Sequence, residues 1–364
     1  MSFNSLNLPV IDQEQALSIT RFFIKNDKNV FIFGQKGTGK TEIAMQAIKD
    51  LNYNISYVNL SVLERPDLAG YPDIHSNSEV ITYKSPFFLP PSNGKPNTVI
   101  LFDEVDKASP EITAPLLELL QFKKINGKPI NCVSCILTGN LLNERSFSNE
   151  ISRPLLDRGA KFILEFSLDK WIDWAKLNDV NELILGFLIN NPEFSSSKID
   201  DASYASPSAR SWTLASKALN DALKSKIIDI ETISLIISSF VGTQAGLRFK
   251  NWFQYYKKFE LPIHSLIKTG SLNIDFNSLH KTEQVVFCIS LCQIAKNEFL
   301  KSKNKNIFYI DNLCDFFTLN NVDKEIQLIS LNNSFPVEVI AKNKLYACKK
   351  FYDLYSAINQ NLKK

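Results

Sequence analysis

The sequence predicts an α/β protein: a parallel sheet with crossover helices over residues 1–166, then a helical region, then a mainly helical C-terminal extension. Three observations predict this. Short apolar runs alternate with helical or loop segments from residue 30 to about residue 166, the pattern of a parallel sheet with connecting helices. The first run leads into a glycine-rich octapeptide that opens an amphipathic helix. Beyond residue 166 the strand-like runs fade and apolar residues recur at helical spacing.

In order, strands are predicted over residues 30–33, 55–60, 99–102, 133–137 and 162–166. Helices are predicted over 14–25, 41–50, 111–120 and 149–157, and then over 168–177, 180–190, 208–224 and 231–240. From residue 247 onward the chain reads as mainly helical, with Asn- and Lys-rich joints at 301–306 and 320–321. The composition shift near Phe166 marks one boundary, and a weaker one falls at 242–246. The expected partition is therefore 1–166, 167–245 and 246–364. Residues 70–95 interrupt the α/β rhythm with four prolines and the aromatics Tyr71, Tyr83, Phe87 and Phe88. An insert this long in a compact domain is usually either functional or mobile.

A chain of 364 residues exceeds one ordinary domain. Hydrophobic residues make up 45% and charged residues 22%, enough for a sizeable core. The net charge of +3 argues against strong general attraction to nucleic acid or anionic membrane, although a local basic patch is compatible with it. Six scattered cysteines make no secreted-type disulfide framework and read as small buried apolar residues. The pair Cys132 and Cys135 lacks the second ligand pair a zinc site would want. His75, His264 and His280 form no metal-binding helix pair. The N-terminus does not read as a signal peptide, and the longest apolar run, residues 233–241, is broken by serines. A cytoplasmic protein without membrane insertion is expected.

The strongest chemical signal is Gly34-Gln35-Lys36-Gly37-Thr38-Gly39-Lys40-Thr41. It matches G-x-x-x-x-G-K-[ST] between a strand and a helix, the context the motif requires. Glycines let backbone N–H groups curl around phosphate oxygens. Lys40 brings a point charge to the β- and γ-phosphates, Thr41 supplies a hydroxyl to magnesium, and the helix N-terminus adds its dipole. The second signal is the apolar run Val99-Ile100-Leu101-Phe102 ending in Asp103-Glu104. Acidic residues at such a strand end face the crevice where α/β ligands bind. Asp103 suits magnesium, and Glu104 suits orientation and deprotonation of an attacking water. Asp106 and Lys107 are equally well explained by a solvated turn. The third signal is Ile136-Leu137-Thr138-Gly139-Asn140. Asn140 is placed to position that water, or else serves as a turn residue or helix cap.

Phosphate loop, acidic strand end and polar strand end, in this order, resemble the AAA+ ATPases, and within them the MoxR-type or dynein-related AAA branch. Leu63-Glu64-Arg65-Pro66-Asp67-Leu68-Ala69-Gly70 is similar to the element before that branch's helix-2 insert. Asp103-Glu104-Val105-Asp106-Lys107-Ala108-Ser109-Pro110 is similar to its acidic element, and Pro154-Leu155-Leu156-Asp157-Arg158 to its arginine-finger segment. The chain departs from the branch where Asp106-Lys107 stands in place of Asn-Arg and Asn140-Leu141 in place of Asn-Pro.

The resemblance covers residues 8–212 and implies a P-loop sheet with a helical lid, ATP and magnesium as ligands, and a ring of six copies. It implies that Arg158 reaches the ATP of a neighbouring subunit, with Arg153 as competitor. It implies that Arg210, in Ser206-Pro207-Ser208-Ala209-Arg210-Ser211-Trp212, touches the γ-phosphate in its own subunit. The preference for ATP over GTP rests on this resemblance, since the loop does not read the base. The implied work is remodelling of a protein client, with a von Willebrand factor A domain protein as a partner. A nucleic-acid motor or loader is the alternative. Its sequence support is residues 248–259, where basic and aromatic residues interleave, although Phe249, Trp252, Phe253 and Tyr256 also form one apolar helix face.

Overall fold

The computed structural model describes residues 7–73, 81–91, 94–141, 151–197, 204–226, 229–302, 306–335 and 337–360. His75, parts of the insert at 70–95, the start of the expected helix at 149–157 and part of the joint at 301–306 lie outside them. The chain forms two compact units. Among the described residues, the first comprises those from 7 to 171 with 208–210, and the second the remainder.

The first unit is built on six parallel strands: β1 (Val10–Ile11), β2 (Val30–Gly34), β3 (Asn54–Asn59), β6 (Thr98–Asp103), β9 (Cys135–Asn140) and β10 (Ala160–Leu164). Two short hairpins complete the numbering: β4 (Tyr71–Pro72) with β5 (Tyr83–Lys84), and β7 (Lys124–Ile125) with β8 (Lys128–Pro129). The sheet order is β1-β10-β2-β9-β6-β3. In register, Gly34 pairs with Asn140 and Asn59 with Asp103. The phosphate loop, the acidic pair and the polar amide therefore leave adjacent strands at their C-terminal ends.

Alternation of side chains along these strands produces the layers. Val30, Ile32, Val99, Leu101, Ile136 and Phe162 face one way, with Ala16 and Ile24 of α1 (Gln13–Lys25) and Ala44, Ala47 and Ile48 of α2 (Lys40–Asp50). Phe31, Phe33, Ile100, Phe102 and Leu137 face the other way. They pack with Leu68 of α3 (Arg65–Ala69), Leu116 and Leu119 of α4 (Thr113–Phe122) and Leu155 of α5 (Arg153–Leu156). Every central strand is covered on both faces, which is why its sequence is a continuous apolar run.

Along the chain follow α6 (Leu168–Leu177), α7 (Glu182–Asn190), α8 (Ala209–Lys224), α9 (Ile230–Val241), α10 (Thr243–Thr269), α11 (Lys281–Lys301), α12 (Phe308–Leu319), α13 (Lys324–Ser334), α14 (Val337–Lys342) and α15 (Lys349–Gln360). Phe187 of α7 is the hub of the second unit, with ring contacts to Phe194, Trp212, Phe249 and Trp252. The Trp212 indole N–H donates to the Phe194 carbonyl at 2.7 Å, so the largest buried ring also has its polar atom satisfied. Phe249, Trp252, Phe253 and Phe259 are buried and pack the core, which removes them from base stacking, whereas Tyr255 and Tyr256 are half-buried. Helix α10 continues through Pro262. Among the described residues no helix is long and apolar enough to cross a membrane.

The insert divides. Phe88 packs against the sheet's hydrophobic core and Leu89 is buried within it, whereas Tyr71, Tyr83 and Phe87 are exposed, Phe87 fully. Within the insert, Phe88 therefore packs inward while Tyr71, Tyr83 and Phe87 are displayed at the surface. All six cysteines are buried and free. Both Cys132, just before β9, and Cys135, its first residue, lie in the core.

Candidate nucleotide site

The loop leaves β2 at Gly34, whose pleat position has no room for a side chain: a Cβ there would stand 2.6 Å from the Leu164 carbonyl oxygen. Gly37 and Gly39 have φ of +78° and +94°, the left-handed region that glycine occupies at no steric cost. Gly37 is also crowded, since an added Cβ would lie 2.9 Å from Ser208. Gly39 caps α2, which aims the free N–H groups of that helix into the loop.

Lys40 is buried and folds back along the loop. Its Nζ donates to the carbonyls of Gly34 at 2.9 Å and Gln35 at 2.8 Å, and to Asn140 Oδ1 at 2.9 Å. Thr41 lies one residue further into α2, and its hydroxyl donates to the Asp103 carboxylate at 3.2–3.3 Å. Four expected site residues, Lys40 and Thr41 of α2, Asp103 of β6 and Asn140 of β9, are thereby brought together.

Two neighbours were not foreseen. Asp103 also accepts from the Thr138 hydroxyl and from the Tyr57 phenol, the latter at 3.0 Å. Partial burial, then the charge of Asp103 and its hydrogen bond, push the Tyr57 phenol up to about 12. Tyr57 sits in a strand that reads simply as β-forming, and nothing in its spacing marks it out.

Glu104 adopts φ 59°, ψ 45°, an uncommon backbone for a residue with a side chain. Its carboxylate accepts from Lys107 Nζ at 2.8 Å. That bond, followed by hydrogen bonds from Ser61 and Asn59, holds its pKa below the ordinary carboxylate value. Glu104 therefore stays ionised at neutral pH, the form able to accept a proton.

Asp106 corrects the solvated-turn reading. It has no exposed surface. It accepts the Asn140 backbone N–H at 2.9 Å and the Asn140 side-chain amide at 3.3 Å. With Nδ2 committed to Asp106, Oδ1 of Asn140 is left facing Lys40. A buried carboxylate demands such donors, but its burial cannot be read from a polar run after a strand. Asp106→Ala should free the Asn140 side chain. Hydrogen bonds to charged groups contribute about 1.5–3 kcal/mol each, so turnover should fall roughly 10- to 100-fold, with nucleotide affinity nearly retained. Steady-state phosphate release beside equilibrium binding of a fluorescent nucleotide checks this, and unchanged turnover would remove Asp106 from the account.

Arg210 lies at the start of α8, within the first unit. Its guanidinium is 3.8 Å from Glu42 of α2, and both side chains are largely exposed. Arg158 is not brought to the loop of its own chain. It donates to the Pro154 carbonyl at 2.7 Å and to Gln121 Oε1 at 3.0 Å, and its own carbonyl accepts from Asn29 at 3.0 Å. Arg153 is exposed at the first turn of α5. Lys36 and Gln35 lie on the loop, Lys36 exposed and Gln35 half-buried. A separate cavity of about 350 Å³ lies between the insert and the β7–β8 hairpin, lined by Ile81, Tyr83, Leu89, Ile125 and Lys128 among others. It includes none of the residues that meet at Lys40 and Asp103.

Residues 29–158 match the family model of the AAA domain, dynein-related subfamily. The chain is 28% identical over 168 residues to the mitochondrial disaggregase of Bos taurus, covering 40% of this chain and 24% of that protein. It is 28% identical over 218 residues to the ATP-dependent Clp protease ATP-binding subunit ClpL of Staphylococcus aureus, covering 50% of this chain and 30% of that one. The chain thus spans less than a third of the length of these curated relatives. Among solved structures, the Thermotoga maritima RuvB Holliday junction branch migration motor overlaps 80% of this chain and 77% of its own, at 15% identity and a TM-score of 0.39. The family match falls on the segment that holds the phosphate loop, Asp103, Glu104 and Asn140. Residues 29–158 are an AAA domain of the dynein-related kind, and the α/β unit built on them is an AAA+ ATPase core.

Proposed function

We propose that this chain is a MoxR-like AAA+ ATPase that hydrolyses ATP with magnesium in a six-membered ring, and uses the cycle to remodel or activate a partner protein. The observation that carries the reading is the convergence of Lys40, Thr41, Asp103, Glu104 and Asn140 at the ends of β2, β6 and β9. Gly34 to Thr41 would cradle the phosphates, with Lys40 placing its charge on the β- and γ-oxygens. Glu104 would take the proton of the attacking water. Asn140, oriented by Asp106, would hold that water in line, and Arg210 would approach the γ-phosphate from the start of α8.

The donor set fits magnesium. Thr41 offers a hydroxyl and Asp103 a carboxylate within 3.2–3.3 Å of each other, both hard oxygens. Among the described residues no group of three His, Cys, Asp or Glu forms a protein-only cage. That agrees with an ion held by one carboxylate, a hydroxyl, waters and substrate phosphates. When bound, the ion would neutralise charge on the phosphate oxygens.

The Arg158 guanidinium bonds Pro154 and Gln121, neither of them on its own phosphate loop, which supports a role in a neighbour's site. Mixing Arg158→Ala subunits into wild type should lower activity more steeply than the fraction of wild-type chains, because each altered subunit silences a site it does not own. A finger contributes roughly 10³–10⁵ in rate where measured. Linear loss on mixing would refute a finger in trans, and the same experiment with Arg153→Ala decides between the two arginines. The exposed Tyr71, Tyr83 and Phe87 are the surface we assign to a protein client, with a von Willebrand factor A domain protein as the partner class. Six buried, free thiols suit a reducing cytoplasm. Strong, salt-sensitive stimulation by DNA would favour a nucleic-acid motor instead.

A further inference from the structure

The Asp103 carboxylate is held from two sides. Oδ1 accepts from Thr138, from the Glu104 backbone N–H at 3.1 Å and from Thr41. Oδ2 accepts from Thr41 and from the Tyr57 phenol at 3.0 Å. A carboxylate offers about four lone-pair sites. The single Thr41 proton is shared between the two oxygens; once Thr41 turns to a cation, Oδ1 remains filled by Thr138 and the Glu104 N–H, while Oδ2 keeps only Tyr57 and has capacity for the cation or its water. Among the described residues, only the Tyr57 bond fixes Oδ2 independently of the phosphate loop, because Thr41 belongs to α2, the helix that the loop opens.

Tyr57 is 46% exposed, so the ring is not needed to fill the core. Its place follows from the sheet. On β3, residue 57 pairs with Leu101 and residue 59 with Asp103, so a side chain at 57 must extend along the strand by one pleat repeat to meet Asp103. A phenol has that length and ends in a single donor.

We propose that Tyr57 is a positioning residue for the magnesium site: by donating to Oδ2 it sets the rotation of the Asp103 carboxylate and so raises the affinity of the nucleotide-bound protein for the divalent ion. This rests on the proposed reading of Asp103 as a metal-binding residue. Partners that orient a ligating carboxylate typically contribute 10–100-fold in metal affinity, and an exposed bond belongs at the low end.

The test is Tyr57→Phe in the full chain, which removes one oxygen from a half-exposed side chain. Mn2+ is titrated into the ADP complex and free Mn2+ is followed by electron paramagnetic resonance. Metal-free ADP affinity is measured in EDTA, and the magnesium concentration for half-maximal turnover is read separately. The expected result is about tenfold weaker Mn2+ binding, unchanged ADP affinity in EDTA, and turnover that recovers at high magnesium. Equal or tighter Mn2+ binding in the variant would overturn the proposal, the tighter case meaning that the phenol competes with the ion. A matching loss of ADP affinity in EDTA would also overturn it, placing the effect on the loop. If wild type binds ADP but takes up no more Mn2+ than ADP alone, the metal-site reading of Asp103 fails along with it.

Discussion

Glu104→Gln is expected to bind ATP and hold it unhydrolysed. The amide keeps the shape of the carboxylate and still meets Lys107, but cannot take a proton from water. General-base catalysis contributes typically 10²–10⁴-fold, so turnover should fall by roughly that factor while nucleotide affinity stays within a few-fold of wild type. Rings should persist longer with ATP bound, visible as a shift in sedimentation. The structure adds a reason for sensitivity here. Glu104 sits on a left-handed backbone and is met by Lys107, Ser61 and Asn59, so its carboxylate is held at several points. Undiminished hydrolysis in the variant would remove Glu104 from the chemistry.

Lys40→Ala should produce the opposite pattern, with binding lost first. The ammonium is buried and spans Gly34, Gln35 and Asn140. In the nucleotide complex it would exchange these bonds for phosphate oxygens, each charged bond contributing about 1.5–3 kcal/mol. Losing two of them weakens nucleotide binding by roughly 10²–10⁴-fold. The fold should survive, because alanine leaves neutral carbonyls that water can reach at the loop. Calorimetric titration with ADP separates this variant from Glu104→Gln, and near-normal ADP affinity would contradict the role of Lys40.

Much of this site was legible from local pattern, for a physical reason. A buried parallel strand needs a continuous apolar run, and the residues that end it mark the crevice. Strands expected at 30–33, 55–60 and 99–102 appear as Val30–Gly34, Asn54–Asn59 and Thr98–Asp103. The run at 133–137 appears two residues later, as Cys135–Asn140. Val133 is instead spent on the turn into the strand, its N–H bonded to Thr98. Strand β1 escaped notice because two residues, Val10 and Ile11, carry no period. The helix expected over 149–157 is described only as Arg153–Leu156.

What local pattern could not show are the side chains that act across strands. Tyr57 reaches Asp103 over 46 residues of chain, and Asp106 reaches Asn140 over 34. Asn29 looks like a turn residue before β2. Yet its amide donates to the carbonyls of Leu120 and Arg158 and accepts from the Cys135 N–H, tying α4, β9 and the arginine segment at one point. These bonds exist only once sheet order and register are set. The aromatic stripe of residues 249–256 carried the converse ambiguity, since one sequence suits a stacking surface or a helix core. Phe249 and Trp252 pack on Phe187 and Phe253 is buried beside them, so for these three the core reading holds, because only packing decides between the two.

The most direct measurement of the central claim is phosphate release from ATP by the purified chain, with magnesium added to a reaction begun in EDTA. Release should be negligible in EDTA, start when magnesium is added, and be abolished in Glu104→Gln. Tight nucleotide binding with no magnesium-dependent release from wild type, over a range of chain concentrations that spans ring assembly, would contradict it.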